Sequence, residues 1–218
     1  MTKLEQLLSF FRKQLSSKSI ELSLQALQQM QISQDPYHDL THIERMLADL
    51  ESFLTTSPEA KQINPEVLVL SISWHDTWKS GRLAKNAVEL LHHQWLDGLG
   101  SAALFDQASH QIKLPKELKE QVSYAIRKHA QFQFLPVATE DAHLLRDLDD
   151  LDLWSIERLR RGESLYPFAA AWRIKLFKHT IEKQFLHTAW ARQQKQKRHA
   201  AFSTQIDDLL SRRSRSLS

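Results

Sequence analysis

Apolar residues recur every three to four positions along almost the whole chain, with charged and polar residues between them. The first stripe consists of Leu4, Leu7, Leu8, Phe11 and Leu15, and the second of Leu22, Leu24 and Leu27. This period places apolar side chains on one face of an α-helix, so that helices can pack through these faces. The pattern predicts an all-α protein.

Two later segments carry helix start signals. Pro36 and Pro65 each follow a residue that can cap a helix, and proline is well tolerated at a first helical position. The pattern predicts one helix from Pro36 to about Thr55 and another that contains EVLVLSISWHDTWK. The second is apolar on all sides in its first half, which is typical of a helix in the middle of a bundle.

The remaining helices are predicted over residues 82–100, over 113–130, from Glu140 behind a Thr139 cap, and from Tyr166 to about Arg198. We interpret residues 31–200 as one helical bundle with extra C-terminal helices, on which the helices of residues 1–30 pack. Residues 201–218 are predicted to be a basic, disordered tail, because serine and arginine dominate their end.

Composition supports this interpretation and narrows the chemistry. The 218 residues include 4 glycines and no cysteine. Strand-and-turn folds and phosphate-binding loops need more glycine, and a transition-metal site would have to use imidazole and carboxylate ligands. The longest apolar run is far shorter than the about 20 residues that span a membrane, and the N-terminus lacks a signal-peptide pattern. We therefore expect no membrane association and a cytoplasmic protein.

Positive charge is concentrated at the C-terminal end of the chain. The net charge is +3, yet residues 191–218 alone carry seven Lys or Arg and two Asp. The remainder of the chain is therefore slightly acidic. A basic tail of this kind suggests nucleic-acid binding as a minor hypothesis, although the sequence contains no recognised nucleic-acid-binding module.

Three short segments could carry chemistry. In DPYHDLTH, His38 and His42 would lie one turn apart on the same helix face. In WHDTWK, the carboxylate of Asp76 stands next to His75 in an apolar helix, where a metal ion would offset the cost of burying it. The third segment, RDLDDLDLW, places four aspartates within six positions, an arrangement more stable beside a cation. Each pattern alone is common in surface helices.

Together and in this order, the three segments resemble the HD superfamily of metal-dependent phosphohydrolases, especially small bacterial members with a YHNxxH-type helix. The resemblance covers residues 30 to 200. It implies that His42, His75, Asp76 and Asp149 are ligands of a divalent ion (Mn, Mg, Fe, Ni, Co or Zn), with Asp147 as the reserve for Asp149. It further implies that His38 is the general acid and that Asp76 takes part in catalysis as well as in metal binding.

Further residues could assist the site. Lys79 makes an HDxxK pattern and is predicted to hold a phosphate oxygen, while His129 falls where many HD proteins carry another histidine. Each has a simpler alternative interpretation. Lys79 could be an exposed lysine at a helix end, and His129 a hydrogen-bonded histidine at a helix C-terminus, where its charge is favourable. Tyr37 is a candidate substrate contact.

The sequence supports two functions of different kinds. The first is a metal-dependent phosphohydrolase that cleaves a phosphomonoester or phosphodiester, such as a nucleotide, by a metal-activated water. The second is a catalytically weak regulatory protein that binds metal and nucleotide. It is favoured by Asn86-Ala87, where the family carries an Asn-Glu pair. The sequence is compatible with a homo-oligomer.

Overall fold

The computed structural model describes residues 2–33, 35, 37–82, 87–129, 136–155, 157–158 and 185–216. These residues form α-helices and no strand, which confirms the all-α prediction. The helices are α1 (Lys3–Leu7), α2 (Ser17–Gln31), α3 (Leu40–Thr56), α4 (Pro65–Trp74), α5 (Ala87–Gln111), α6 (Lys116–His129), α7 (Glu140–Asp152) and α8 (Ala189–Ser216), with a 3-10 helix at Pro58–Gln62.

The chain divides into two compact units, Met1–Arg146 and Asp147–Ser218, with the boundary inside α7. The sequence instead suggested one bundle over residues 31–200 with flanking segments. Much of the helix predicted from Tyr166 onward lies outside the described residues.

Helix α4 is the central element of the first unit. Every residue from Val67 to Trp74 is buried, which explains the uninterrupted apolar run in its sequence. Asn64 caps the helix by accepting a hydrogen bond from the backbone of Glu66, and Pro65 occupies the first turn as predicted. The core that α4 shares with α2, α5 and α6 contains Leu22, Ala26, Val67, Leu70, Trp74, Ala102, Phe105, Leu114, Val122 and Ile126.

Helix α3 begins later than the sequence predicts. Asp39, not Asp35, is its N-cap, and its side chain accepts a hydrogen bond from the backbone N–H of His42 at 3.1 Å. The predicted start at Pro36 is therefore wrong. His38 precedes the helix and lies in a turn, while His42 lies in the first turn of α3.

The second unit is organised around the start of α8. Both oxygens of Asp147 accept hydrogen bonds there, from the backbone of His187 (2.8 Å) and from the backbone and hydroxyl of Thr188 (both 2.7 Å). Burial raises the pKa of Asp147 in spite of these hydrogen bonds. Helix α8 continues to Ser216, whereas composition predicts disorder after residue 200.

Among the described residues, no helix combines the length and the apolar character that crossing a membrane would require.

Candidate metal centre

The His75-Asp76 pair stands at the end of α4 and not inside a helix. The helix ends at Trp74, with His75 as its C-cap, and residues 75–81 form a series of tight turns. The hydroxyl of Thr77 donates to the carbonyl oxygen of Trp74 at 2.8 Å, and the amide of Gln29 in α2 donates to the carbonyl oxygen of Thr77 at 2.9 Å. These contacts satisfy carbonyls that a longer helix would use, so the prediction of a helical WHDTWK segment is wrong.

Three ligand-type atoms converge at this helix end. The Nε2 atoms of His42 and His75 lie 3.1 Å apart, and Oδ2 of Asp76 lies 3.3 Å from the first and 3.0 Å from the second. His42 and His75 are fully buried, and Asp76 is 2% exposed. The structure therefore brings together three of the four predicted metal ligands within the first unit.

The hydrogen bonds of this cluster leave electron pairs directed at its centre. Nδ1 of His75 lies 2.8 Å from the carbonyl oxygen of Ile72, which requires a proton on Nδ1 and leaves the lone pair of a neutral imidazole on Nε2. Oδ2 of Asp76 is buried and has no hydrogen-bond partner in the part of the chain that the structure describes. Two ligand atoms that each lie about 2.1 Å from one metal ion, with a ligand–metal–ligand angle of roughly 90°, are about 3.0 Å apart. The observed spacing therefore suits a shared cation.

A second interaction fixes His38. Its Nδ1 lies 2.8 Å from Oδ2 of Asp35, and its ring is edge-on to that of His42, with 6.2 Å between centroids. Burial raises the pKa of Asp35, but the charge and hydrogen bond of His38 outweigh it and lower the pKa to about 2. The carboxylate thus orients the imidazole as in an Asp–His pair of a hydrolase. Sequence reasoning had treated Asp35 only as a helix cap.

Lys79 belongs to a buried network on the other side of Asp76. Its Nζ lies 2.6 Å from Oδ2 of Asp97, 3.3 Å from Oδ1 of Asp76 and 3.2 Å from Nε2 of His38. Lys79 is 4% exposed, so it does not have the exposed position that was its alternative interpretation. His129 is 2% exposed and is the last residue of α6, which agrees with its alternative interpretation as a histidine at a helix end.

His129 faces the same two carboxylates. Its Nδ1 is hydrogen bonded to the carbonyl oxygen of Ile126 (2.6 Å), and its Nε2 lies 3.2 Å from Oδ2 of Asp97 and 3.8 Å from Oδ1 of Asp76. Burial lowers the pKa of His129, but hydrogen bonds to Asp76 and Asp97 raise it to about 10. Burial likewise raises the pKa of Asp76, yet the electrostatic interactions with the nearby His75 and Lys79 bring it well below its usual range.

Asp97 is a second site residue, besides Asp35, that sequence reasoning missed. It is 1% exposed and lies on α5, where the adjacent Gly98 allows a close approach to α6. A Cβ atom at Gly98 would lie only 3.1 Å from the carbonyl oxygens of Ile126 and Arg127. The absent side chain lets Asp97 reach His129, so a carboxylate beside a helical glycine was the available signal.

The remaining predicted residues lie in several places. Asp149 is half-buried in the second unit, with Oδ1 3.9 Å from Nη1 of Arg158, and its role as a ligand stays a prediction. Both carboxylate oxygens of Asp147 accept hydrogen bonds at the start of α8. Tyr37 is half-buried and its backbone donates to Asp35. Asn86 lies outside the described residues.

No family model, no curated protein and no solved structure matches this chain. Membership of the HD superfamily therefore stays a prediction from the sequence motifs. The described residues do provide groups of histidine and aspartate that could hold a metal ion, among them His75, Asp76 and His129, whose ligand atoms all lie within 4.8 Å of one another.

Proposed function

We propose that this protein is a metal-dependent phosphohydrolase whose divalent ion is held by Nε2 of His42, Nε2 of His75 and Oδ2 of Asp76. The observation that carries the proposal is the buried Oδ2 of Asp76. It has no hydrogen-bond partner among the described residues and lies 3.0 Å from Nε2 of His75 and 3.3 Å from Nε2 of His42. A buried carboxylate oxygen in this position is costly without a cation.

The residues fit such an ion chemically. Two imidazole nitrogens and one carboxylate oxygen suit most first-row divalent metals, and these three ligands leave coordination positions for water and substrate. The carbonyl oxygen of Ile72 fixes the ring of His75 from behind, as outer-shell partners of metal-binding histidines do. When bound, the metal would supply a Lewis acid that activates water and offsets charge on a phosphoryl group.

The surrounding residues have distinct tasks in this proposal. Asp35 holds the ring of His38 through Nδ1, so Nε2 is the atom that would deliver a proton to the leaving oxygen. Lys79 lies 3.2 Å from that atom, where its ammonium group can exchange the proton. The substrate would be a phosphomonoester or phosphodiester, because the proposed chemistry is water attack at phosphorus with protonation of one leaving oxygen.

The first test is metal content. Protein purified and loaded with Mn²⁺ is expected to retain the ion through gel filtration, as measured by elemental mass spectrometry. His75→Ala and Asp76→Asn are expected to lose it, while His110→Ala, at an exposed position near the end of α5, serves as the matched control. Circular dichroism checks that each variant is helical. A parent protein that retains no divalent ion under these conditions contradicts the proposal.

The second test separates the enzyme from the regulatory protein. The loaded protein is assayed on aryl phosphomonoesters, aryl phosphodiesters and nucleotides with Mn²⁺, Mg²⁺, Co²⁺ and Ni²⁺. We expect hydrolysis that falls by about 100-fold or more in His38→Ala, because general acid–base catalysis contributes roughly 10²–10⁴, with metal content unchanged. Metal and nucleotide binding without any turnover would favour the regulatory alternative. An Asp149→Asn variant tests whether this aspartate completes the ligand set.

A further inference from the structure

The carboxylate of Asp76 faces two different sets of partners. Oδ2 lies against the imidazoles of His42 and His75, while Oδ1 lies 3.3 Å from Nζ of Lys79 and 3.8 Å from Nε2 of His129. A carboxylate in this position could bridge two cations. The second set of partners, however, already contains a cation, the ammonium group of Lys79.

The groups around that ammonium are themselves of the metal-binding kind. Oδ1 of Asp76, Oδ2 of Asp97 and Nε2 of His129 are two carboxylate oxygens and one imidazole nitrogen, the same donor types as in the first set. Nζ of Lys79 approaches Oδ2 of Asp97 to 2.6 Å, and the same oxygen lies 3.2 Å from His129. All four side chains are at most 4% exposed, so solvent does not compensate their charges.

We propose that the ammonium group of Lys79 takes the place of a second metal ion, so that the protein binds one divalent ion where the side chains would otherwise suit two. This inference rests on the proposed function, since it presupposes the ion at His42, His75 and Asp76. Removal of the ammonium group exposes a second site made by Asp76, Asp97 and His129. Lys79 is then a residue that sets metal stoichiometry, in contrast to the phosphate contact predicted from the sequence.

The same contacts explain why a lysine is suited to this position. Nζ lies at hydrogen-bond distance from Asp97, Asp76 and His38, which accounts for the three donors of an ammonium group. Lys79 is also three residues beyond Asp76 in the same series of turns, so its side chain reaches the carboxylate without crossing another element. A divalent ion in the same place would compete with this preformed pairing.

The experiment measures Mn²⁺ stoichiometry and the electron paramagnetic resonance of the full-length protein. The wild type is expected to bind one equivalent and to give the six-line spectrum of an isolated ion. Lys79→Met is expected to bind two equivalents with an exchange-coupled spectrum, because paired ions about 3.5–4 Å apart interact magnetically. Adding Asp97→Asn to Lys79→Met removes one ligand of the new site, and the count is expected to return to one.

The outcomes are distinguishable. Two equivalents or a coupled spectrum in the wild type overturns this inference and leaves the proposed function standing, as does a folded Lys79→Met that still binds one ion. If Lys79→Met does not fold, the wild-type spectrum alone decides between an isolated ion and a pair. A wild type that binds no Mn²⁺ overturns the proposed function itself and this inference with it.

Discussion

Gly100 lies on α5 directly against the indole ring of Trp78. Trp78 is the residue before Lys79 in the chain. A Cβ atom at this position would be 2.2 Å from Cδ1, 2.4 Å from Cγ and 2.7 Å from Nε1 of that ring. Since carbon atoms in contact are about 3.5–4.0 Å apart, the ring would have to move by more than about 1 Å. Gly100→Ala therefore displaces Trp78 or separates it from α5.

The displacement is opposed by the contacts of Trp78. Its ring is covered by the guanidinium of Arg82 (4.4 Å to the centroid), and its backbone N–H donates to the hydroxyl of Ser101 at 3.2 Å. Overpacking of this kind costs about 1–3 kcal/mol, while alanine in place of glycine inside a helix returns about 1 kcal/mol. We expect a net destabilisation of about 1 kcal/mol, which corresponds to a decrease in Tm of about 2–4 °C for a chain of this size.

Thermal unfolding followed by circular dichroism at 222 nm measures this effect, with Gly81→Ala as the matched control. A Cβ at Gly81 meets no atom of the described residues within 4 Å, and none of the described glycines has a positive φ, so this variant should be unchanged or stabilised by up to about 1 kcal/mol. Mn²⁺ affinity should fall in Gly100→Ala and not in Gly81→Ala, because Trp78 lies two residues after Asp76 in the same series of turns. A Gly100→Ala protein as stable as Gly81→Ala would refute the packing argument.

Two further predictions concern the segment before α3. Because the pKa of Asp35 is lowered from 3.8 to about 2, its ionised form stabilises the fold above pH 4. This contribution, about 2 kcal/mol, is lost as the pH falls from about 4 to about 2. Denaturant titrations across that range should show a loss of stability about 2 kcal/mol larger in the wild type than in Asp35→Asn; equal acid sensitivity of the two proteins would contradict the prediction. Separately, Asp39→Ala should lower the free energy of unfolding by about 1 kcal/mol, because it removes the N-cap of α3. Asp39→Asn keeps an accepting oxygen, so its Tm should lie within about 1–2 °C of the wild-type value. Equal Tm values for the two variants would argue against the cap.

The sequence predicts helices better than it predicts where they end. The start of α4 follows from Asn64-Pro65 and the apolar run behind it. Its end at Trp74 does not, because WHDTWK contains neither glycine nor proline. The helix stops where the side chains of Thr77 and of Gln29, which lies 48 residues away in the chain from Thr77, bind carbonyl oxygens. Such a long-range contact leaves no local pattern.

The start of α3 shows a competition that sequence alone cannot decide. Asp35 and Asp39 are both good N-cap residues. Asp39 caps the helix, while Asp35 pairs with His38, so the two histidines converge from a turn and a helix and not from one helix face. The prediction that His38 and His42 lie on one helix face is therefore wrong, although their rings are edge-on with 6.2 Å between centroids.

The candidate ligands differ in how far the sequence could reveal them. His42, His75 and Asp76 follow from their motifs, and the structure brings them together. Asp97 has no such motif, since its partner His129 is 32 residues away and its proximity depends on the backbone approach at Gly98. The helical glycine beside Asp97 is a local signal, but it does not identify His129 as the partner.

Hydrogen bonds from α2 determine how far the chain can be shortened without disturbing the turns at the end of α4. The indole of Trp74 donates to the carbonyl oxygen of Leu22 at 3.1 Å, and Gln29 donates to both Thr77 and Ser80. The turns that contain His75, Asp76 and Lys79 are thus hydrogen bonded to α2, a helix that contributes no proposed ligand. A fragment beginning at residue 32 would retain every proposed ligand yet lose the anchors that hold their backbone. A fragment meant to test the proposed metal site therefore has to extend back through α2, because a boundary drawn around the motifs alone removes these hydrogen bonds.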